Sequence, residues 1–206
     1  MSLSAAILDY DAGNVRSAKR GFDAAGAAAR VVRTAEEARS ADVLVIPGVG
    51  NFDSCMAQLR ASGLEEVIRE AIADQRPVFG ICVGMQLLYS GSEEGTEPGL
   101  GLLPGRVERF PDTAVVPHIG WDVVRAAEGA EDDPLLDGVA GERLYFVHSY
   151  YAVPTDRSHV VGRTVYGGVA FPCLVREGSV VGTQFHPEKS GPVGARLLRN
   201  WLEGLG

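Results

Sequence analysis

At 206 residues, 46% of them hydrophobic and 22% charged, the chain has the composition of one globular domain with room for a substantial core. A formal net charge of −8 disfavours nucleic acid and anionic membrane as partners, no apolar run approaches the ~18 residues that span a bilayer, and the N-terminus lacks the basic flank and cleavage site of a signal peptide. Three cysteines, at positions 55, 82 and 173, lack the paired spacing of a disulfide framework or a zinc site, so a single cytoplasmic domain over 1–206 with free thiols is expected.

Residues 4–8 form a first strand candidate, followed by Asp-Tyr-Asp-Ala-Gly-Asn and an amphipathic helix over 15–25, which opens an α/β unit. A strand is expected over 29–32, a short helix over 35–39 and a strongly β-branched strand over 42–46, continuous in apolar residues as in a sheet covered on both faces. Pro47-Gly48-Val49-Gly50 then leaves that strand. Proline stops the ladder and the two glycines let the backbone approach a ligand or another loop, although the same residues also make an ordinary strand-to-helix turn. Helices over 53–61 and 64–74 follow, with Cys55 a core residue on the first.

Residues 77–81 read as a short buried strand, and from Val83 the spacing of Met85, Leu88 and Tyr89 becomes helical, so the chain turns sharply at Cys82. Gly80 and Gly84 flank that turn and remove Cβ atoms that would collide. Gly-x-Cys-x-Gly is the thiol counterpart of the Gly-x-Ser-x-Gly nucleophile elbow. A thiol there sits at a helix N-terminus, which favours the thiolate, and the N–H of Val83 faces any carbonyl the sulfur attacks. The plainer alternative is a cysteine packed between strand and helix. In an open parallel sheet, ligands collect beyond the carboxyl ends of the strands, which makes the N–H of Val49 or Gly50 a candidate second oxyanion donor.

Residues 90–101, rich in glycine and acid, read as a surface loop. Strands are expected over 106–110, 121–125, 143–153 and 160–166, then a hairpin of 169–176 and 179–185 around Glu177-Gly178, and a last helix over 193–205. The fold class is therefore α/β, with a mostly parallel central sheet flanked by helices and an added antiparallel β section in the second half.

A cysteine that cleaves an amide needs a base, and four histidines are available, at 118, 148, 159 and 186. His186 follows a strand in the run Gln-Phe-His-Pro-Glu-Lys-Ser. Residues two apart in extended chain project to one side, so Glu188 can reach the ring of His186 while Pro187 stiffens the pair. Cys82, His186 and Glu188 then make a triad, the acid orienting the base.

Pro-Gly-Val-Gly, Gly-Ile-Cys-Val-Gly-Met-Gln and Gln-Phe-His-Pro-Glu, in that order, resemble the class I, triad-type glutamine amidotransferases. Pro117-His118-Ile119-Gly120-Trp121 and Tyr145-Phe146-Val147-His148-Ser149-Tyr150 are similar to one branch of that family, whose glutaminases serve a separate cyclase subunit in histidine biosynthesis. Asp11 stands where glycine is common, and Asp122 where asparagine is common. The resemblance implies glutamine hydrolysis without a cofactor or metal, with Gln86, Glu94 and the backbone of Ser149 and Tyr150 holding the substrate. It also implies a heterodimer with a (β/α)₈ cyclase that receives the ammonia, with Asn14, His118, Trp121, Tyr145 and Lys189 as docking-face candidates. Trp121 and Tyr145 equally suit a core. The alternatives are the glutaminase of a pyridoxal phosphate, anthranilate or nucleotide synthase, a silent binding module of the same fold, and a peptidase or hydrolase of another elbow family.

Overall fold

The computed structural model describes residues 2–205. Strand and helix alternate through the first 82 residues as β1 (Ser4–Leu8), α1 (Val15–Ala25), β2 (Ala28–Val32), α2 (Ala35–Arg39), β3 (Val43–Gly48), α3 (Phe52–Ala61), α4 (Leu64–Ala73) and β4 (Val78–Cys82). Local chemistry sets the helix starts. Asn14 accepts from the Ser17 N–H at α1, Thr34 and Glu37 close a capping box at α2, and Asn51 accepts from the Ser54 N–H at α3. Asp11 has φ 62°, the left-handed conformation a glycine would take without strain, and its carboxylate bonds Arg33 at 3.0 Å.

The second half contributes α5 (Val83–Gln86), β5 (Gly105–Arg109), β6 (His118–Val123), β7 (Arg125–Ala126), β8 (Arg143–His148), β9 (Tyr150–Pro154), β10 (Val160–Tyr166), β11 (Val169–Glu177), β12 (Val180–Thr183) and α6 (Gly191–Glu203), with 3₁₀ turns at Pro134–Leu136 and Pro187–Lys189. The main sheet has the order β2-β1-β3-β4-β12-β11-β10-β7. Its first five strands are parallel, and β12, β11, β10 and β7 pair antiparallel, as the hairpin around Gly178 requires. Two small antiparallel pairs, β5 with β9 and β6 with β8, form the added section.

Right-handed crossovers put α1 on the sheet face opposite α2, α3 and α4, and α6 returns to pack beside α1. There Phe22 of α1, Phe79 of β4 and Trp201 of α6 meet edge to face, with centroids 4.9 to 5.9 Å apart. Phe22 and Phe79 are fully buried, each contributing about 2 kcal/mol from area alone. This cluster clamps both helices onto the strand that carries Cys82.

Three elements differ from expectation. Residues 143–153 are two strands, because the chain breaks at Ser149 and passes from the pair with β6 to the pair with β5. Pro47 lies within β3 and not beyond it: pairing with β1 ends at Val45, so the missing N–H of Pro47 faces no strand, and its carbonyl takes the Tyr10 hydroxyl at 2.5 Å. The helix after Cys82 is four residues long. Met85, Leu88 and Tyr89 are fully buried, but the carbonyls of residues 87–89 are taken by the N–H groups of Leu100, Gly101, Leu102 and Leu103, which end the helix. The dipole expected behind the thiol is therefore that of a single turn.

The elbow is pressed against β3. A Cβ on Gly84 would lie 1.9 Å from the Ile46 carbonyl oxygen, one on Gly48 2.5 Å from the Gly84 nitrogen, and one on Gly80 2.8 Å from the Gly84 oxygen. Gly84→Ala forces backbone apart at this contact and is expected to destabilise the fold by about 3 kcal/mol or more, read as a fall in melting temperature. An unchanged melting temperature would contradict the close approach.

Candidate active site

The carboxyl ends of β3, β4 and β12 converge. Cys82 is aligned with Gly48 across the β3–β4 ladder, and β12 lies on the other side of β4 and leads into His186. Cys82 itself has φ 55° and ψ −110°, a conformation that costs a non-glycine residue roughly 1–3 kcal/mol and is held by the packing of Gly80 and Gly84. Strain at that position aims the sulfur out of the sheet. Its Sγ lies 3.8 Å from the Val147 carbonyl and 3.6 Å from Nε2 of Gln184.

Beside the sulfur is a cavity of about 370 Å³. Val49, Gly50, Cys82, Val83, Gln86, Glu94, Ser149, Tyr150 and Lys189, all singled out from sequence, line it together with Pro117, Val147 and His148. The Val49 carbonyl accepts from Sγ of Cys55 at 3.6 Å, which turns the N–H of the same peptide, that of Gly50, away from α3. Burial pushes the Cys55 thiol up to about 12, so it stays protonated and can donate. Cys55 and Cys173 are buried, free thiols.

His186 and Glu188 stand behind this cavity. Nδ1 of His186 bonds Oε1 of Glu188 at 2.8 Å with both side chains 2% exposed. The His186 N–H donates to the Tyr145 carbonyl, and Ser190 Oγ joins the His186 carbonyl at 2.6 Å to the Tyr145 N–H at 2.9 Å, which fixes the turn to β8. Burial acts to lower His186, but the hydrogen bonding and negative charge of Cys82 and Glu188 outweigh it and raise the imidazole to about 9. Nε2 of His186 is buried and has no other hydrogen-bond partner, which leaves it to the sulfur. Among the described residues, no group of His, Cys, Asp or Glu is arranged to hold a metal ion.

Two cavity residues are already engaged by the protein. Glu94 Oε2 accepts from the Phe52 N–H at 2.7 Å, tying its loop to the start of α3. The Tyr150 carbonyl accepts from Gln86 Nε2 at 2.9 Å and from His148 Nδ1 at 2.7 Å, which fills both its lone pairs and removes it as a ligand acceptor. Gln86 Nε2 also donates to Gln184 Oε1 at 3.0 Å. Gln184 was not singled out from sequence. The alternation that places Glu188 beside His186 also puts Gln184 on the His186 side, and that signal was available.

Of the docking candidates, Asn14 and Lys189 are exposed, and Trp121 is 46% exposed with its ring 5.8 Å from that of Tyr145. His118 is the exception. It is 1% exposed, with its ring turned inward among aromatics, so its side chain cannot present a surface.

Residues 6–205 match the family described as Glutamine amidotransferase class-I. The chain is 48% identical over 201 residues, 96% of its own length and 92% of the relative's, to an Imidazole glycerol phosphate synthase subunit HisH of Synechococcus sp. (strain JA-3-3Ab). It is 46% identical to the protein of the same name from Halobacterium salinarum, covering 97% of this chain and 93% of that one. Among solved structures, PurLQS from Thermotoga maritima superposes with a TM-score of 0.78 at 21% identity, with full coverage of both chains. A structure described as a glutamine amidotransferase superposes with 0.72 at 25% identity, covering 97% of each.

Two tests follow from this geometry. Folded His186 holds its proton to about 9, against about 6.5 in an unfolded chain, so its contribution to stability is full below about 6.5 and is lost as pH rises through about 9. Urea midpoints should therefore fall across that window in the wild type and fall less in His186→Asn; parallel curves would refute the assignment. A Cβ on Gly21 of α1 would lie 2.9 Å from Cβ of Glu188. Gly21→Ala keeps the helix but displaces the carboxylate, and turnover should drop about tenfold or more.

Proposed function

The chain belongs to the class-I glutamine amidotransferases, and we propose that Cys82, His186 and Glu188 are the triad with which it hydrolyses L-glutamine to glutamate and ammonia as the glutaminase subunit of an imidazole glycerol phosphate synthase. The observation that carries this is a buried Glu188–His186 pair, set beside a strained cysteine at the edge of a cavity.

The steps follow from the electrostatics. The proton that leaves Cys82 resides on His186, and the thiolate attacks the side-chain carboxamide carbon. The tetrahedral oxygen is held by the N–H of Val83 and an N–H of the Val49–Gly50 segment. His186 gives its proton to the departing nitrogen, which leaves as ammonia. In the resulting γ-glutamyl thioester the sulfur no longer carries charge, so the Cys82 contribution to the basicity of His186 is gone, while burial still opposes protonation. His186 is then suited to take a proton from water. The hydroxide adds to the thioester, the thiolate is expelled, and the charge pair returns with glutamate as product. Glu188 keeps the Nδ1–H tautomer throughout, leaving Nε2 for chemistry.

Both N–H groups of the Gln86 amide are used internally, so its Oε1 meets an N–H of the substrate. The free oxygen of Glu94 and the backbone N–H groups near Ser149 and Tyr150 serve the amino and carboxylate ends. Ammonia passes to a cyclase subunit, which makes imidazole glycerol phosphate and aminoimidazole carboxamide ribotide in histidine biosynthesis. Val49, Ile119 and Trp121, which are 40%, 61% and 46% exposed, give the docking face an apolar centre, with Asn14, Tyr145 and Lys189 around it. No helix among the described residues is long and apolar enough to cross a membrane, and a cytoplasmic location suits the pathway.

Glutamate release from glutamine should be strong in the complex with a cyclase carrying its nucleotide ligand, weak without it, and absent in Cys82→Ala. Release indifferent to the cyclase would mean a different synthase. No release despite proven complex formation would leave a binding module.

A further inference from the structure

His118 and His148, pointed to by neither the nucleophile nor its base, are joined in a line of short contacts. Asp122 Oδ2 lies 2.6 Å from His118 Nε2, His118 Nδ1 lies 3.1 Å from His148 Nε2, and His148 Nδ1 lies 2.7 Å from the Tyr150 carbonyl oxygen. The outer end is at the surface, where the Asp122 side chain is 32% exposed, and His118 behind it is 1% exposed. The inner end is the carbonyl that also holds Gln86 at the cavity wall.

Counting protons along this line gives an unexpected result. Its two ends, a carboxylate and a carbonyl, only accept, and each of the three gaps needs one hydrogen. Two neutral imidazoles bring two. The complete line therefore holds one proton more than neutral histidines supply, shared between His118 and Asp122 or passed inward to His148. The plane of the His118 ring is held by stacking on Tyr166, with centroids 3.8 Å apart, and on Phe146 at 5.1 Å.

We propose that Asp122, His118 and His148 form a proton-holding relay that positions the Tyr150 carbonyl, and through it Gln86, in the glutamine pocket. Asp122 and His118 are thus positioning residues for substrate binding, and the inference rests on the pocket being the glutamine site. The titratable groups that act on the relay are few. Asp122 raises His118, while on the inner side His118 and His186 both oppose a charge on His148. Tyr166 from β10 faces His118 with its ring, its hydroxyl donating to the Val115 carbonyl, and Arg143 of β8 bonds the Trp121 carbonyl. Burial pulls His118 toward its neutral form and takes His148 down to about 3, so the extra proton is the first to be lost as pH rises. Two acceptors then face each other across a gap beside His118, and their repulsion displaces His148, whose Nδ1–H holds the Tyr150 carbonyl.

Asp122→Asn provides the discriminating variant. A carboxamide can donate its own N–H to neutral His118 Nε2, so all three contacts form without the extra proton. The experiment uses the complex with the cyclase subunit. In the wild type, KM for glutamine should rise about three- to tenfold as pH is raised through the relay's titration, with kcat changing less, as expected for one hydrogen bond lost at a binding wall. In Asp122→Asn the KM profile should be flat and low across the same range. Asp122→Ala removes the outermost gap and leaves two for two neutral rings, so its KM should also lack the rise with pH, and a rise in that variant would count against the proton count.

Imidazole ¹⁵N spectra of the same samples give an answer independent of turnover. At the acid end the wild type should show one imidazolium in the His118–His148 pair, and Asp122→Asn two neutral Nδ1–H rings. Identical spectra and identical KM profiles in the two proteins would overturn the relay. Absence of glutamate release in every variant would instead count against the glutaminase assignment, while the spectra would still decide the proton count.

Discussion

The structure depends on the contact between the Gly84 backbone and the carbonyl of Ile46. A backbone-to-backbone approach this close leaves no room for any side chain, and it forces the turn after β4 to fold back over the end of β3. Three consequences come from that one constraint. Cys82 is held at a positive φ it would not adopt alone, the N–H of Val83 is brought to the mouth of the cavity, and the Val49–Gly50 segment is carried alongside the sulfur. Cys82 and the main-chain segments beside it are set by main-chain packing, which does not move when side chains rotate.

The three histidines around the cavity show how partners decide what burial does. All are nearly inaccessible, yet His186 is raised while His118 and His148 are lowered. His186 has ionisable groups on both sides, a thiol and a carboxylate, and their combined charge overcomes desolvation. For His148, burial outweighs the support of the Tyr150 carbonyl, and the neighbouring imidazoles oppose a charge. His118 lies between these cases, with one carboxylate against an aromatic cage. A single residue type thus favours the charged form beside Cys82 and the neutral form among the aromatics.

Much of the site was legible because it is local. Glycines two residues either side of Cys82, and a carboxylate two residues after His186, are short-range patterns with one geometric meaning, and the hairpin around Gly178 is of the same kind. What escaped was set at long range. Nothing near Ser149 says that the chain changes partner there, because β6 and β5 lie far back in the sequence. Periodicity in Met85, Leu88 and Tyr89 signals burial and not helix length, since residues 100–103 take the carbonyls that would have continued it. The resemblance puts His118 on a docking face, and it is the stacking on Tyr166 and Phe146, from distant strands, that turns it inward.

The strand that delivers His186 is the last of the sheet to be made, and it inserts beside β4, about one hundred residues earlier in the chain. Contacts of that separation form only after everything between them has been synthesised and collapsed. Trp201, which packs on Phe79 of β4, comes later still, so the strand that carries Cys82 gains both its second neighbour and its clamp from the last part of the chain. A chain that stops before β12 keeps Cys82 but has neither His186 nor the strand that seats it.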